Sequence, residues 1–87
     1  MERRVPGLRT VYVIQTETGV DKFYVGLTSN VTNRLEAHNR GESRHTSKYR
    51  PWRLVVAIEF ADTARAIQFE RYLKSHSGRA FLRRHFL

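Results

Sequence analysis

Eighty-seven residues, no cysteine, and sixteen Lys plus Arg against eight Asp plus Glu describe one small, strongly basic domain of formal net charge +8. That length excludes a second domain and a nucleotide-binding βαβ pair, and it leaves room for one modest core. The missing cysteines exclude a disulfide staple and a Cys-ligated zinc site, and no apolar run approaches the roughly 20 residues of a membrane span.

Residues 1–8, with Pro6-Gly7, read as a loose polar arm without the apolar segment of a signal peptide, so a cytoplasmic protein with no membrane contact is expected. Two short runs rich in β-branched and aromatic residues follow, at about 10–15 and 22–27, separated by a polar turn through Gly19. This pattern predicts a β-hairpin with a loop of about five residues. Ser29 or Asn30 can cap a helix over about 31–40, and Gly41 suits the positive φ of its C-terminus. Val31, Leu35 and Ala37 or His38 form the inner stripe of that helix.

Residues 41–53 are polar and basic, a long loop with room for one helical turn. Pro51 bars helix and leads into a third strand at about 54–60, whose nearly continuous apolar run predicts cover on both faces. Asp62 or Thr63 caps a second helix over about 64–76, closed by Ser77-Gly78. Residues 79–86 read as a last short helix carrying Phe81, Leu82 and Phe86. The fold class is therefore α+β, a three-stranded, mainly antiparallel sheet with helices packed against it. One domain spans residues 1–87, with its core at about 9–76 and residues 77–87 as a C-terminal helix or tail.

Arg outnumbers Lys, which favours planar, bidentate contacts to phosphate and makes nucleic acid the first partner to consider. Arg34 and His38, four apart, share one helix face. Arg34 can hold a phosphate and His38 can accept or relay a proton; equally, Arg34 can be solvated and His38 can cap the helix end. Tyr12 and Tyr24 are either sheet residues or phenols at a site, and Gly26 would let a ligand approach closely. Glu70 sits in or beside an apolar stripe with Ala66, Ile67 and Leu73, so it should be paired with Arg34 or Arg71, or bound to metal. One carboxylate with room for water suits Mg²⁺ or Mn²⁺. Arg44, Lys48, Arg50, Trp52 and Arg53, joined by Lys74, are candidates for stacking a base and holding phosphates. Aromatic packing that ties the loop down explains Tyr49 and Trp52 as well. His45, His76 and His85 read as surface residues.

Together these residues resemble the GIY-YIG nuclease superfamily. Thr10-Val11-Tyr12 stands at the first triplet and Tyr24-Val25-Gly26 at the second. The stretch from Leu27 to Asn39 is similar to the family helix with its Arg and His, and Gly41, Thr46, Pro51, Leu54-Val55 and Ala66 to Lys74 resemble the small stand-alone branch. Thr10 departs from the usual Gly. The resemblance implies a one-metal DNA endonuclease, structure-selective and acting in repair or recombination. In it Glu70 holds Mg²⁺ or Mn²⁺, Arg34 binds the attacked phosphate, Tyr24 or His38 is the base, and Tyr12 positions or shares that role. A phenol in that role needs a cation to depress its pKa. Other readings are a non-catalytic nucleic-acid-binding module with the same fold, and a scaffold for a protein partner or homodimer through Phe81, Leu82, Phe86 and Leu87.

Overall fold

The computed structural model describes residues 7–87; the expected arm at 1–8 lies outside them except for Gly7 and Leu8. The elements are β1 (Thr10–Thr16), β2 (Phe23–Thr28), α1 (Val31–Arg40), a 3-10 turn (Ser47–Tyr49), β3 (Trp52–Glu59), α2 (Thr63–Lys74) and α3 (His76–His85). The sheet is antiparallel in the order β2-β1-β3, which bears out the α+β class.

β1 is the strand buried on both faces. Its side chains alternate, as a strand requires. Val11 and Val13 enter one core with Val25 of β2, Ala66 and Leu73 of α2, and Leu82 of α3. Tyr12 and Ile14 enter a second core with Trp52, into which Tyr24, Val31, Leu35 and Tyr49 pack. The sheet thus divides a layer of α2 and α3 from a layer of α1 and the 41–51 loop. Full burial of Val11, Val13 and Ile14 contributes on the order of 1.5–3 kcal/mol each.

The expectation that the third strand is covered on both faces is overturned. β3 is an edge strand with Arg53, Leu54, Ala57 and Glu59 exposed, and a register shift between Val13 and Ile14 leaves Val55 without a Cα partner. Continuous hydrophobicity reports composition, whereas position in the sheet depends on which strand the other two pair with.

The helix ends follow from local hydrogen bonding. Asn30 accepts the Asn33 N–H at 3.0 Å, and Gly41 at φ 83° ends α1 with its N–H bonded back to the helix. Asp62 caps α2 through the Ala64 N–H at 2.7 Å. The Ser77-Gly78 terminator is a second correction. Ser75 ends α2, and its hydroxyl donates to the Tyr72 carbonyl at 2.6 Å while accepting the Gly78 N–H at 3.2 Å. One side chain therefore closes one helix and opens the next, and Gly78 lies inside α3 where the two helices meet.

The C-terminal residues also differ from expectation. Leu82 is fully buried, and Phe81 and Leu87 pack on the core, so only Phe86 of that set is well exposed. An apolar dimer face built on all four does not form.

Gly78 carries a test of this junction. In an exposed helix interior Gly→Ala gains about 1 kcal/mol. Here a Cβ would lie 1.8 Å from the Tyr72 carbonyl oxygen and 2.5 Å from Leu73 Cα, both backbone atoms that cannot swing aside. Gly78→Ala is expected to destabilise by about 2 kcal/mol or more, read as a lower urea midpoint at unchanged slope.

Candidate functional site

Tyr12 lies opposite Gly26 in the β1–β2 ladder, and its ring runs across the space a side chain there would fill. A Cβ on Gly26 would stand 2.4 Å from both the Tyr12 hydroxyl and the ring carbon that bears it. The close approach at Gly26 is therefore made by Tyr12 and not by a ligand. The phenol reaches His38 on α1, with its oxygen 2.8 Å from Nε2, and both residues are 1% exposed. On the other side of the imidazole, Nδ1 is 2.8 Å from the Thr46 hydroxyl. His38 thus sits in the core with both ring nitrogens bonded.

Two of the remaining members lie near the same phenol. Tyr24 on β2 is half-buried, its ring centroid 6.3 Å from that of Tyr12 and 5.1 Å edge-on from that of His38. Arg34, one turn before His38, is exposed, with its guanidinium near enough to the Tyr12 hydroxyl to favour the ionised phenol. Glu70 belongs to α2 on the opposite layer, where its ion-pair partner is Lys74, and its charge adds only a small upward push to the Tyr12 pKa. Of the five sequence candidates, Tyr12, Tyr24 and His38 pack against one another, Arg34 lies beside them on α1, and Glu70 stands apart on α2.

Burial pushes the Tyr12 pKa up, and the nearby Arg34 guanidinium opposes that rise without cancelling it. Arg34 alone therefore does not supply the depression that a phenol base needs, because desolvation of a phenolate outweighs one exposed guanidinium. Burial pushes the His38 pKa down, with the Arg34 charge adding to it. Both partners are neutral at pH 7, Tyr12 with a proton to give and His38 with a lone pair to accept it.

Glu70 pairs with Lys74 on the next turn of α2 and not with Arg34 or Arg71. The Lys74 side chain is 50% exposed but that of Glu70 only 15%, so a divalent cation taking the carboxylate would have to displace the Lys74 ammonium from a largely sheltered partner. Among the described residues no three His, Asp or Glu side chains cluster as a metal cage. The donor set is a single carboxylate, which fits an ion that keeps most of its water and takes the rest of its ligands from a phosphate.

The basic candidates divide. Arg44, Lys48, Arg50 and Arg53 are exposed, Arg50 donating to the Ser47 carbonyl and Arg53 to Gln15. Lys48 and Lys22 lie 5.7 and 5.6 Å from the Tyr49 ring centre. Trp52 is a correction: at 4% exposure, with its Nε1–H donating to the Thr46 carbonyl at 2.8 Å, it cannot stack a base. It is the aromatic peg that ties the loop down. Asn39 holds it there, accepting the Trp52 N–H at 2.7 Å and donating to its carbonyl at 3.0 Å. Asn39 and Thr46 were not candidates from the sequence as site residues. Asn39 directly after a site histidine was one available signal, and the place of Thr46 in the family resemblance was the other.

Gly26→Ala tests the geometry directly. The added Cβ displaces the Tyr12 phenol and opens His38 to water. The His38 titration midpoint, followed by its Cε1–H resonance, should rise toward the ordinary value of about 6.5, and stability should fall by about 1–3 kcal/mol.

The comparisons with known proteins agree with this arrangement. The family model described as the GIY-YIG catalytic domain matches residues 9–84. The chain is 36% identical over 72 residues to a protein of Chaetomium globosum named structure-specific endonuclease subunit SLX1, covering 76% of this chain and 22% of that relative. A homolog of the same name in Giardia intestinalis is 36% identical over 70 residues, covering 74% of this chain and 20% of the relative. One in Drosophila mojavensis is 43% identical over 54 residues, covering 56% and 18%. The chain spans about a fifth of the length of the curated relatives it matches. With the match running through both triplets, the helix and the carboxylate, the chain belongs to the GIY-YIG nuclease superfamily.

Proposed function

We propose that this domain is a divalent-metal-dependent endonuclease that hydrolyses phosphodiester bonds in DNA of distorted or branched structure. The observation that carries the reading is the Tyr12 hydroxyl, bonded to His38 within the core and close to the exposed Arg34 guanidinium. Structure-selectivity and a protein partner are proposed from the names of the relatives, which are called subunits of a structure-specific endonuclease, and a role in repair or recombination from the family resemblance.

Arg34 is exposed and has five N–H donors, which can hold the non-bridging oxygens of the attacked phosphate. As a water oxygen bonds to phosphorus and the bond to the leaving oxygen breaks, Tyr12 takes the water proton and gives its own to Nε2 of His38. The raised Tyr12 pKa suits a relay, because no phenolate has to persist. His38 is not itself in contact with the water, since both its nitrogens are engaged. Tyr24, the more open phenol, orients the water. Glu70 would hold Mg²⁺ or Mn²⁺, and the ion when bound neutralises charge that grows on the phosphate oxygens. Arg44, Lys48 and Arg50 supply contacts to the flanking backbone, which position DNA without reading its sequence.

A non-catalytic binding module is favoured by one feature, the Glu70–Lys74 ion pair. One assay separates the two. Labelled duplex, single-strand, flap and junction DNAs are incubated with Mg²⁺ or Mn²⁺, beside an EDTA control and Glu70→Ala. The nuclease reading expects cleavage by the native chain, lost by at least about 10²-fold in both controls, with DNA binding close to native. Binding with no metal-dependent cleavage of any substrate would leave the binding module.

Arg34→Ala and Arg34→Lys should both cost on the order of 10²-fold or more in kcat, because an ammonium cannot replace the bidentate fork. The pH profile follows from His38. Only the neutral ring accepts the Tyr12 proton, so the rate falls as pH drops through the His38 pKa. Burial lowers that pKa, and Arg34, near the ring in addition to Tyr12, Tyr24 and Thr46, lowers it further. The acid limb of kcat should therefore lie below about 6.5 and be absent from the residual activity of His38→Gln.

A further inference from the structure

Thr46 occupies the N-cap position of the Ser47–Tyr49 turn, where a threonine hydroxyl ordinarily accepts a backbone N–H two or three residues on. It makes no such bond. The hydroxyl is turned instead to Nδ1 of His38 at 2.8 Å, and the residue is 1% exposed. Its backbone is held in place as well. The Thr46 carbonyl accepts the Trp52 indole N–H at 2.8 Å and the Tyr49 N–H at 3.1 Å, and the Thr46 N–H donates to the Ser43 carbonyl at 3.3 Å. Trp52 is in turn clamped by Asn39, the neighbour of His38 on α1. The hydroxyl is thus presented to the imidazole by a closed frame that runs from α1 through β3 and back into the loop.

A neutral imidazole has one donor nitrogen and one acceptor nitrogen, and its partners choose which is which. With the proton on Nδ1, His38 donates to the Thr46 oxygen, and the Nε2 lone pair receives the Tyr12 O–H. With the proton on Nε2, that N–H would aim a donor at the Tyr12 oxygen, and the phenol proton would lose His38 as its acceptor. The Tyr12 side of the network therefore favours the Nδ1–H tautomer, with the Thr46 hydroxyl free to turn its lone pair to that N–H.

We propose that Thr46 is a positioning residue that holds His38 in the Nδ1–H tautomer and so keeps Nε2 open to receive the Tyr12 proton. It touches neither substrate nor reacting atoms and acts only through His38. Its effect on turnover rests on the nuclease reading above, whereas its effect on the imidazole does not.

The test uses the full chain labelled with ¹⁵N. Imidazole nitrogen shifts are read above the histidine titration range, and the His38 signals are identified by their loss in His38→Gln. The native chain and Thr46→Ser, which keeps the hydroxyl, are expected to carry the proton on Nδ1. Thr46→Val, which keeps the shape and removes the hydroxyl, is expected to move the population toward Nε2–H. On the cleaved DNA, Thr46→Val should lower kcat on the order of 10-fold with KM changed less than about 2-fold, and Thr46→Ser should stay within about 3-fold of native. The proposal is overturned if native His38 carries its proton on Nε2, if Thr46→Val keeps Nδ1–H, or if Thr46→Ser loses as much as Thr46→Val. Should Thr46→Val fail to fold, the native and Thr46→Ser shifts and the Thr46→Ser rate still decide it. If the native chain cuts no DNA, the nuclease reading fails, and the nitrogen shifts alone decide the role of Thr46.

Discussion

The hydrogen bond between the Tyr12 hydroxyl and His38 Nε2 joins two residues that are each 1% exposed. An unmet polar group at that depth costs about 1–3 kcal/mol, and much of the architecture on this side of the sheet meets that constraint. Gly26 leaves the volume through which the phenol must pass. Thr46 supplies the second partner that a buried imidazole needs, and Trp52 and Asn39 hold Thr46 in reach. No buried side-chain nitrogen or oxygen among the described residues lacks a partner, so the network is complete rather than half made.

Completeness has an electrostatic consequence. Desolvation acts on the two partners in opposite directions on the pH scale, raising the phenol and lowering the imidazole, and both end neutral. The core therefore carries a movable proton without carrying a charge. Of the charged candidates, Arg34 is exposed on the α1 side, whereas Glu70 lies on α2, largely sheltered against Lys74.

What could be read from the sequence follows the range of the interactions involved. The hairpin and α1 were legible because their signals are local: a Gly-containing turn between β-branched runs, Asn30 as an N-cap and Gly41 at positive φ. The α1 bounds agree with expectation for that reason. The five site candidates were legible from their order along the chain, which the family resemblance supplied; spacing alone placed only Arg34 and His38 together. The place of β3 in the sheet was not legible, since an apolar run does not say which strand lies in the middle. Gly78 reads as a terminator until Ser75 is seen to cap both α2 and α3. Trp52 among cations looks like a stacking residue, and only the arrival of Asn39 and Thr46 from other segments turns it inward. Thr46 stood in the family resemblance but not as a site residue for the same reason, because its function depends on a contact across eight residues and a change of element.

The charge of the chain also reads differently once it is placed. Arg79 and Arg83 lie 4.8 and 5.2 Å from the Phe23 ring centre, and Arg83 pairs with Asp21 in the hairpin loop. These guanidiniums serve the seam between α3 and the hairpin, where cation–π contacts hold them. Arg40 is taken by Glu42, and Lys74 by Glu70. Among the described residues, the cations left facing outward around the phenol layer include Arg34, Lys22 and the loop residues Arg44, Lys48 and Arg50, while Arg53, bonded to Gln15, lies on the other face of the sheet. On the nuclease reading the electrostatic footprint is therefore this narrower arc on the α1 side and not the whole net charge of +8. An arc of that kind can orient a backbone across Arg34 yet has few base-reading groups, which suits selection by DNA shape over selection by sequence.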